Sequence, residues 1–234
     1  MTDLSSFPIA KRWPAQHPDQ LQLYSFPTPN GVKVSIMLEE LGLPYEAHKV
    51  SIMDGDQHTD EFRSLNPNGK IPAIIDPDGP GGRPVGLFES GAILIYLAEK
   101  TGKLIPADPA GRLECLQWVM FQMGGIGPMF GQFGFFYKFG GKDMEDKLAM
   151  HRYRDETRRL LGVLEKRLDG REWIMGDEYS IADIISFPWV GTLGGFYEAA
   201  DELGLDEFTR VEKWLDNCSA RPASEKGRAI PPRD

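Results

Sequence analysis

Gly69-Lys70-Ile71-Pro72-Ala73-Ile74, followed after a glycine-rich turn by Phe88-Glu89-Ser90-Gly91, decides how this chain is read. Proline cannot donate to a β-ladder, so Pro72 marks the entry to a strand. Ile71 before it would present its backbone N–H and C=O to an extended ligand. Eighteen residues further on, Ser90 can cap a helix whose free N–H groups and dipole favour an anion, and Glu89 beside it can take an ammonium. A zwitterionic amino-acid head group fits that pair.

Outward from this stretch, residues 21–100 alternate between short strand-like and helix-like runs, the pattern of an α/β unit. Leu21-Gln22-Leu23-Tyr24 reads as a strand. Val32 to Leu41 reads as a helix closed by Gly42 and Pro44, and Tyr45 to Val50 as a second strand. A short helix around Glu61 to Leu65, a third strand from Pro72 to Ile75, a fourth near Val85-Gly86-Leu87 and a helix from Ala92 to Lys100 complete the unit. Beyond Gly111 the strand signals fade, and helical periodicities such as Leu148, Leu161, Leu164 and Leu168 take over. Domains are therefore expected at 21–100 (α/β) and 111–222 (all-α), joined by a linker at 101–110 where Gly102, Pro106 and Pro109 break both patterns. Residues 1–20 form an N-terminal extension and 223–234 a C-terminal tail.

Composition narrows the partners. The 234 residues carry 26 Lys and Arg against 35 Asp and Glu, a net charge of −9, which disfavours nucleic acid or an anionic membrane surface. The first twenty residues are polar and contain three prolines, with no apolar run long enough for a signal peptide or a membrane span, so a cytoplasmic protein is expected. Cys115 and Cys218 stand far apart and outside any C-x-x-C spacing, which indicates neither a disulfide framework nor a thiolate metal site. Asp54-Gly55-Asp56 lacks the downstream glutamate of a calcium loop, and no metal is assigned. Tyr179-Ser180-Ile181-Ala182-Asp183-Ile184 has the form of a capping box that starts a buried helix, a folding signal rather than a chemical one.

Taken together, these segments resemble the cytosolic glutathione transferases. The shared parts are the strand Leu21 to Tyr24, the Lys70-Ile71-Pro72 turn, Glu89-Ser90-Gly91 and the Ser180-Ile181-Ala182-Asp183 box, in that order. Thr28-Pro29-Asn30-Gly31, Asn66-Pro67-Asn68, Phe88 to Leu94 and Tyr96 to Lys100 are similar to the nu class, the glutathione-dependent disulfide-bond reductases. The resemblance covers about residues 21–222. It implies a thioredoxin-like N-terminal domain followed by an all-α C-terminal domain, a homodimer, glutathione as co-substrate, and a small disulfide or electrophile as its reaction partner.

Thioredoxin-fold redox proteins carry a C-x-x-C pair between the first strand and the first helix. This chain has Pro27-Thr28-Pro29-Asn30 there, without sulfur. The resemblance thus implies that the ligand brings the thiol and that Thr28 and Asn30 stabilise it as thiolate. Thr28 and Pro29 suit the cap and first position of a helix, whose positive end favours an anion. The same residues could equally do no more than cap the helix. The resemblance further places Ile71 and Pro72 beside the cysteinyl unit, Glu89 and Ser90 at the γ-glutamyl end, Gln57 and Lys70 near the ligand, and Arg152 on a glutathione carboxylate. Tyr24 at the end of the first strand is a rival activator, although an aromatic residue in a strand more often packs. Between Gly124 and Gly141, seven glycines alternate with aromatic residues, which either fill a core or line an apolar cleft. Three functions stay open: disulfide reduction by bound glutathione, conjugation of glutathione to electrophiles, and a catalytically silent glutathione-binding module.

Overall fold

The computed structural model describes residues 4–232. The chain divides into two compact units, one running to Thr101 and taking in the chain again from Pro222, the other spanning Gly102–Arg221.

In the first unit the order is β1 (Leu21–Ser25), α1 (Pro29–Leu41), β2 (Tyr45–Lys49), α2 (Asp60–Leu65), β3 (Ala73–Asp76), β4 (Val85–Phe88) and α3 (Ser90–Thr101). The four strands lie in the order β2-β1-β3-β4. Strand β1 runs parallel to β2, with Leu21 opposite Tyr45, and antiparallel to β3, with Leu23 opposite Ile74; β3 and β4 are antiparallel. This is the mixed sheet of a thioredoxin-like domain. Every residue of β1 is buried, as expected for a central strand covered on both faces. Its one long polar side chain, Gln22, is fully satisfied: Nε2 donates to the carbonyls of His17 and Gln20 at 2.9 Å, and Oε1 meets His48 Nε2 at 2.8 Å.

Element ends differ from the sequence expectation by a few residues, each for a local reason. Helix α1 starts at Pro29 rather than Val32, because Thr28 caps it and Pro29 loses nothing at a first-turn position. It ends at Gly42, whose φ of 66° closes the last turn. Strand β3 starts at Ala73, one residue after the proline that cannot enter the ladder. Helix α3 begins at Ser90, and its first carbonyl acceptor is Glu89, bonded by Ile93 N–H at 2.9 Å. Glu89 therefore occupies the cap position expected for Ser90, and Ser90 is the first helical residue.

Both terminal segments pack into this unit. Leu4 and Ile9 are buried with Tyr24, Val50, Phe62, Leu65, Ala73 and Ile75, and Phe7, Trp13 and Ala15 cover the cluster. Trp13 Nε1 donates to the Lys49 carbonyl at 3.0 Å, and the amides of Gln16 and His17 donate to the Glu46 carboxylate.

The second unit is helical: α4 (Pro109–Phe121), a π-helical stretch (Gln122–Ile126), α5 (Gly127–Tyr137), α6 (Leu148–Arg167), α7 (Ile181–Gly194), α8 (Ala200–Leu203) and α9 (Thr209–Ser219). Helix α6 buries Thr157, Leu160, Leu161 and Leu164 on one stripe of a charged helix. Helix α7 is nearly all buried and opens with the expected capping box. Asp183 goes further than a cap requires, since its carboxylate accepts Ser180 N–H at 3.0 Å, Ile174 N–H at 2.8 Å and Trp214 Nε1 at 2.8 Å. The glycine and aromatic segment is mostly core. Phe130 and Phe133 are fully buried, and a side chain on Gly134 would overlap the ring of Tyr197. Phe135 and Phe139 remain exposed. A short tenth helix, α10 (Pro222–Gly227), returns to the first unit and packs on α1. Ser35 Oγ donates to the Gly227 carbonyl at 2.6 Å, and a Cβ on Gly227 would come within 2.7 Å of the Ile36 backbone.

No described helix is long and apolar enough to cross a membrane.

Candidate active site

The site grows from the turn between β1 and α1. Thr28 has extended backbone, and its Oγ1 accepts Gly31 N–H at 3.3 Å, so it is the N-cap of α1. A hydroxyl that accepts still has its own hydrogen to donate, which lets Thr28 cap the helix and meet an anion together. Gly31 allows the helix to press on the preceding loop, since a Cβ there would lie 2.0 Å from the Phe26 carbonyl oxygen. Thr28 and Asn30 are half-buried at the positive end of a 13-residue helix.

Asn30 does not cap. Its Oδ1 accepts a hydrogen bond from Lys33 Nζ at 2.9 Å, and the same Nζ donates to Ser90 Oγ at 3.3 Å. Lys33 is completely buried, and burial pushes its ammonium down to about 7 while the negative charge of Glu89 works in the opposite direction. Three residues singled out from sequence, Asn30, Ser90 and Glu89, thus surround a lysine that was not. The signal for Lys33 was present but faint: a lone charged residue between Val32 and Val34, one helical turn after Asn30.

At the start of α3, Glu89 is exposed and holds φ at 71°, while Ser90 is buried. A non-glycine residue in the left-handed region costs of order 1 kcal/mol or more and persists where its surroundings demand it, as at binding sites. Ile71 is half-buried, immediately before β3, and its bond to the buried Pro72 is cis. Lys70 is exposed, with its carbonyl held by Asn66 Nδ2 at 2.6 Å. Gln57 is half-buried, with Nε2 at 3.1 Å from His58 Nε2, while its Oε1 is shut away from solvent and has no hydrogen-bond partner among the described residues. Arg152 lies on α6 in the second unit; its side chain is 70 % exposed and 3.9 Å from Glu156.

Tyr24 lies inside the core of the first unit. It is fully buried, stacked on the His48 ring at a centroid distance of 4.7 Å, with Trp13 edge-on at 6.2 Å. Its hydroxyl makes no hydrogen bond among the described residues, and burial raises its pKa. These are the surroundings of a packed core side chain. No group of three or more His, Cys, Asp or Glu side chains placed to hold a metal ion occurs among the described residues.

Comparison with known proteins bears directly on this geometry. The N-terminal domain profile of glutathione S-transferase matches residues 28–100 and the C-terminal domain profile matches residues 126–222. The disulfide-bond oxidoreductase YghU of Escherichia coli is 42% identical over 98% of this chain and 78% of its own length. The chain belongs to the glutathione S-transferase family. Among solved structures, a glutathione transferase from Burkholderia graminis with two glutathione molecules bound per subunit superposes with a TM-score of 0.99 at 67% identity, over 100% of this chain and 98% of its own. One from Pseudomonas putida, with one glutathione disulfide per subunit, does so with a TM-score of 0.97 at 62% identity, over 98% and 100%.

Proposed function

We propose that this glutathione transferase is a glutathione-dependent disulfide-bond reductase. The observation that carries the reading is where sulfur is and is not. The helix start that would hold a redox cysteine carries Thr28 and Asn30, while Cys115 and Cys218 are both buried and burial pushes the Cys115 thiol up to about 11. A thiol so placed is a poor nucleophile, so the reactive sulfur comes with the co-substrate. The disulfide oxidoreductase name of the YghU relative and the bound glutathione or glutathione disulfide in the structural neighbours support the same reading.

Glutathione lies against the first unit, its backbone on Ile71, its γ-glutamyl end at Glu89 and Ser90, Gln57 and Lys70 beside it, and its sulfur at Thr28 and Asn30. Hydrogen bonds from the Thr28 hydroxyl and the Asn30 amide, together with the dipole of α1, favour the thiolate; each charge-assisted bond is worth about 1.5–3 kcal/mol. The thiolate displaces one sulfur of the substrate disulfide, giving a mixed disulfide and a free thiolate. A second glutathione thiolate then attacks the glutathione sulfur of that mixed disulfide, releasing the second substrate thiolate and glutathione disulfide. Two thiols are oxidised as one disulfide is reduced. The protein supplies position and electrostatics rather than the nucleophile. Conjugation to an electrophile uses the same thiolate and is the second reading, a weaker activity of the same site.

The reading extends to a reducing cytoplasm, where reduced glutathione is the abundant pool, and to a homodimer. Leu113 and Met120, seven residues apart and so on one face of α4, are exposed apolar side chains that a second subunit would cover. Sedimentation at twice the 26.2 kDa chain mass is the expected result.

Turnover of a small model disulfide with glutathione tests the central point. A Cys115→Ser/Cys218→Ser double variant should stay active while Asn30→Ala falls sharply. Activity lost with the cysteines would reject ligand-supplied sulfur. Retained glutathione binding with no turnover by the wild type would favour a silent binding module.

A further inference from the structure

The buried contacts of Lys33 have no obvious place in folding. A lysine with no exposure is expensive to bury, and the apolar neighbours Val32, Val34 and Ile36 show what α1 would otherwise place in its core. Lys33 Nζ instead reaches Asn30 Oδ1 at 2.9 Å and Ser90 Oγ at 3.3 Å, the first belonging to the thiol end of the proposed ligand and the second to its γ-glutamyl end.

The chemistry of the two groups fixes their orientation. An ammonium has donors and no acceptor, so the amide atom of Asn30 that faces it is the oxygen. That leaves the amide nitrogen, a donor only, on the branch of Asn30 away from Lys33. Without Lys33 the amide oxygen loses the donor that fixes its direction, and an oxygen turned to the sulfur would repel a thiolate instead of binding it.

We infer that Lys33 is a positioning residue for the bound thiol: its Nζ locks the Asn30 amide with its N–H groups toward the sulfur and ties that amide to Ser90 at the other end of the ligand. The inference rests on the disulfide-reductase reading above and deepens it. Lys33 touches no reacting atom; it acts chiefly through Asn30, its charge supplying the smaller part. Glu89 is the charged side chain that bears on Lys33 and favours its protonated form. A thiolate held at Asn30 is a second negative charge on the same cradle and favours that form again.

The test is the ionisation of glutathione bound to the protein, followed by its ultraviolet thiolate absorbance between about pH 5 and about pH 8.5, below the tyrosine range. Wild type is compared with Lys33→Met, which keeps length and removes all donors, with Lys33→Gln, which keeps polarity without charge, and with Asn30→Ala alone and combined with Lys33→Met. Lys33→Met and Lys33→Gln should each raise the bound thiol pKa by about one unit, a tenfold loss of thiolate below that pKa. The kcat at neutral pH should fall by about the same factor, with less than about a threefold change in glutathione affinity. In the Asn30→Ala background, Lys33→Met should add less than a third of that shift, because the amide it orients is gone. Wild-type pKa in both Lys33 variants would overturn the inference while leaving the reductase reading intact. Equal effects of Lys33→Met with and without Asn30 would overturn the coupling through the amide. A wild-type complex with no thiolate in this range would remove the reductase reading and the inference together.

Discussion

In each unit of this glutathione transferase a charged side chain is completely buried, Asp183 in one and Lys33 in the other, and their partners differ in kind. Asp183, at the start of α7, is enclosed by donors of its own unit: the backbone N–H groups of Ile174 and Ser180, the Ser180 hydroxyl and the Trp214 indole. Burial pushes its carboxyl up to about 6 against the pull of those donors. Lys33, in α1, reaches two side chains, Asn30 and Ser90, that belong to the proposed ligand site. A buried charge closed by backbone and a core indole organises a fold. A buried charge bonded to side chains of the proposed ligand site helps to organise that site.

The sharpest way to break this contrast is at Asp183. Asp183→Ala leaves the Trp214 indole and two backbone N–H groups buried without their acceptor and should cost about 4 kcal/mol, read as a fall in the urea midpoint at unchanged slope. A loss under about 1 kcal/mol would mean that the carboxylate is not what joins α7 to the Ile174 loop and α9. In the other unit, Asn30→Ala takes one acceptor from the buried Lys33 ammonium and should cost about 1 kcal/mol of stability, but about 2 kcal/mol in kcat/KM for disulfide reduction, roughly a thirtyfold loss, because a charge-assisted bond to the thiolate is also removed. Equal damage to stability and rate would make Asn30 a structural partner of Lys33 and erase the difference between the two regions.

Lys33→Met carries the contrast into pH. The ammonium of Lys33 titrates in the folded protein at about 7, below its usual 10.5. The unfolded chain therefore binds more protons than the folded one between these values, and the wild type gains stability as pH rises through that window. Below it, a buried ammonium is carried at full cost. Lys33→Met should thus raise stability by about 1 kcal/mol at pH 6, with the gain shrinking toward pH 9. Thermal melts at the two pH values measure it, and a variant less stable than wild type at pH 6 would show that Lys33 serves the fold as Asp183 does.

Much of this arrangement is legible in the sequence because local rules govern it. The Thr28-Pro29 start of α1, the proline before β3 and the Ser180 to Asp183 box each depend on a few adjacent residues, and there the structure differs from the expectation by short extensions at helix ends and a one-residue shift of β3. What stayed hidden depends on contacts between distant segments. Nothing near Lys33 in sequence says that Ser90 will lie within hydrogen-bond reach, 57 residues away. Nothing near Trp13 says that it will cover Tyr24 and donate to the Lys49 carbonyl, so residues 1–20 read as an extension rather than as cover for the β-sheet core. The turn around Glu89 shows both cases: its proposed binding role was read from type and position, while its place at the cap of α3 depends on a left-handed backbone that no glycine announces.

The smallest expected effect falls on Tyr24, where sequence offered a second activator. Its hydroxyl lies at zero exposure between His48 and the N-terminal cover, without a hydrogen-bond partner among the described residues. Tyr24→Phe keeps the stacked ring and removes an oxygen whose desolvation nothing offsets, so stability should hold or rise by up to about 1 kcal/mol. Activity should stay within about twofold of wild type, since a group that cannot reach the sulfur cannot lower its pKa. Disulfide turnover and a melt on the same preparation decide the matter. A large rate loss at preserved stability and glutathione binding would return Tyr24 to the site and make the hydroxyl, rather than the Asn30 amide held by Lys33, the donor that keeps the thiol ionised.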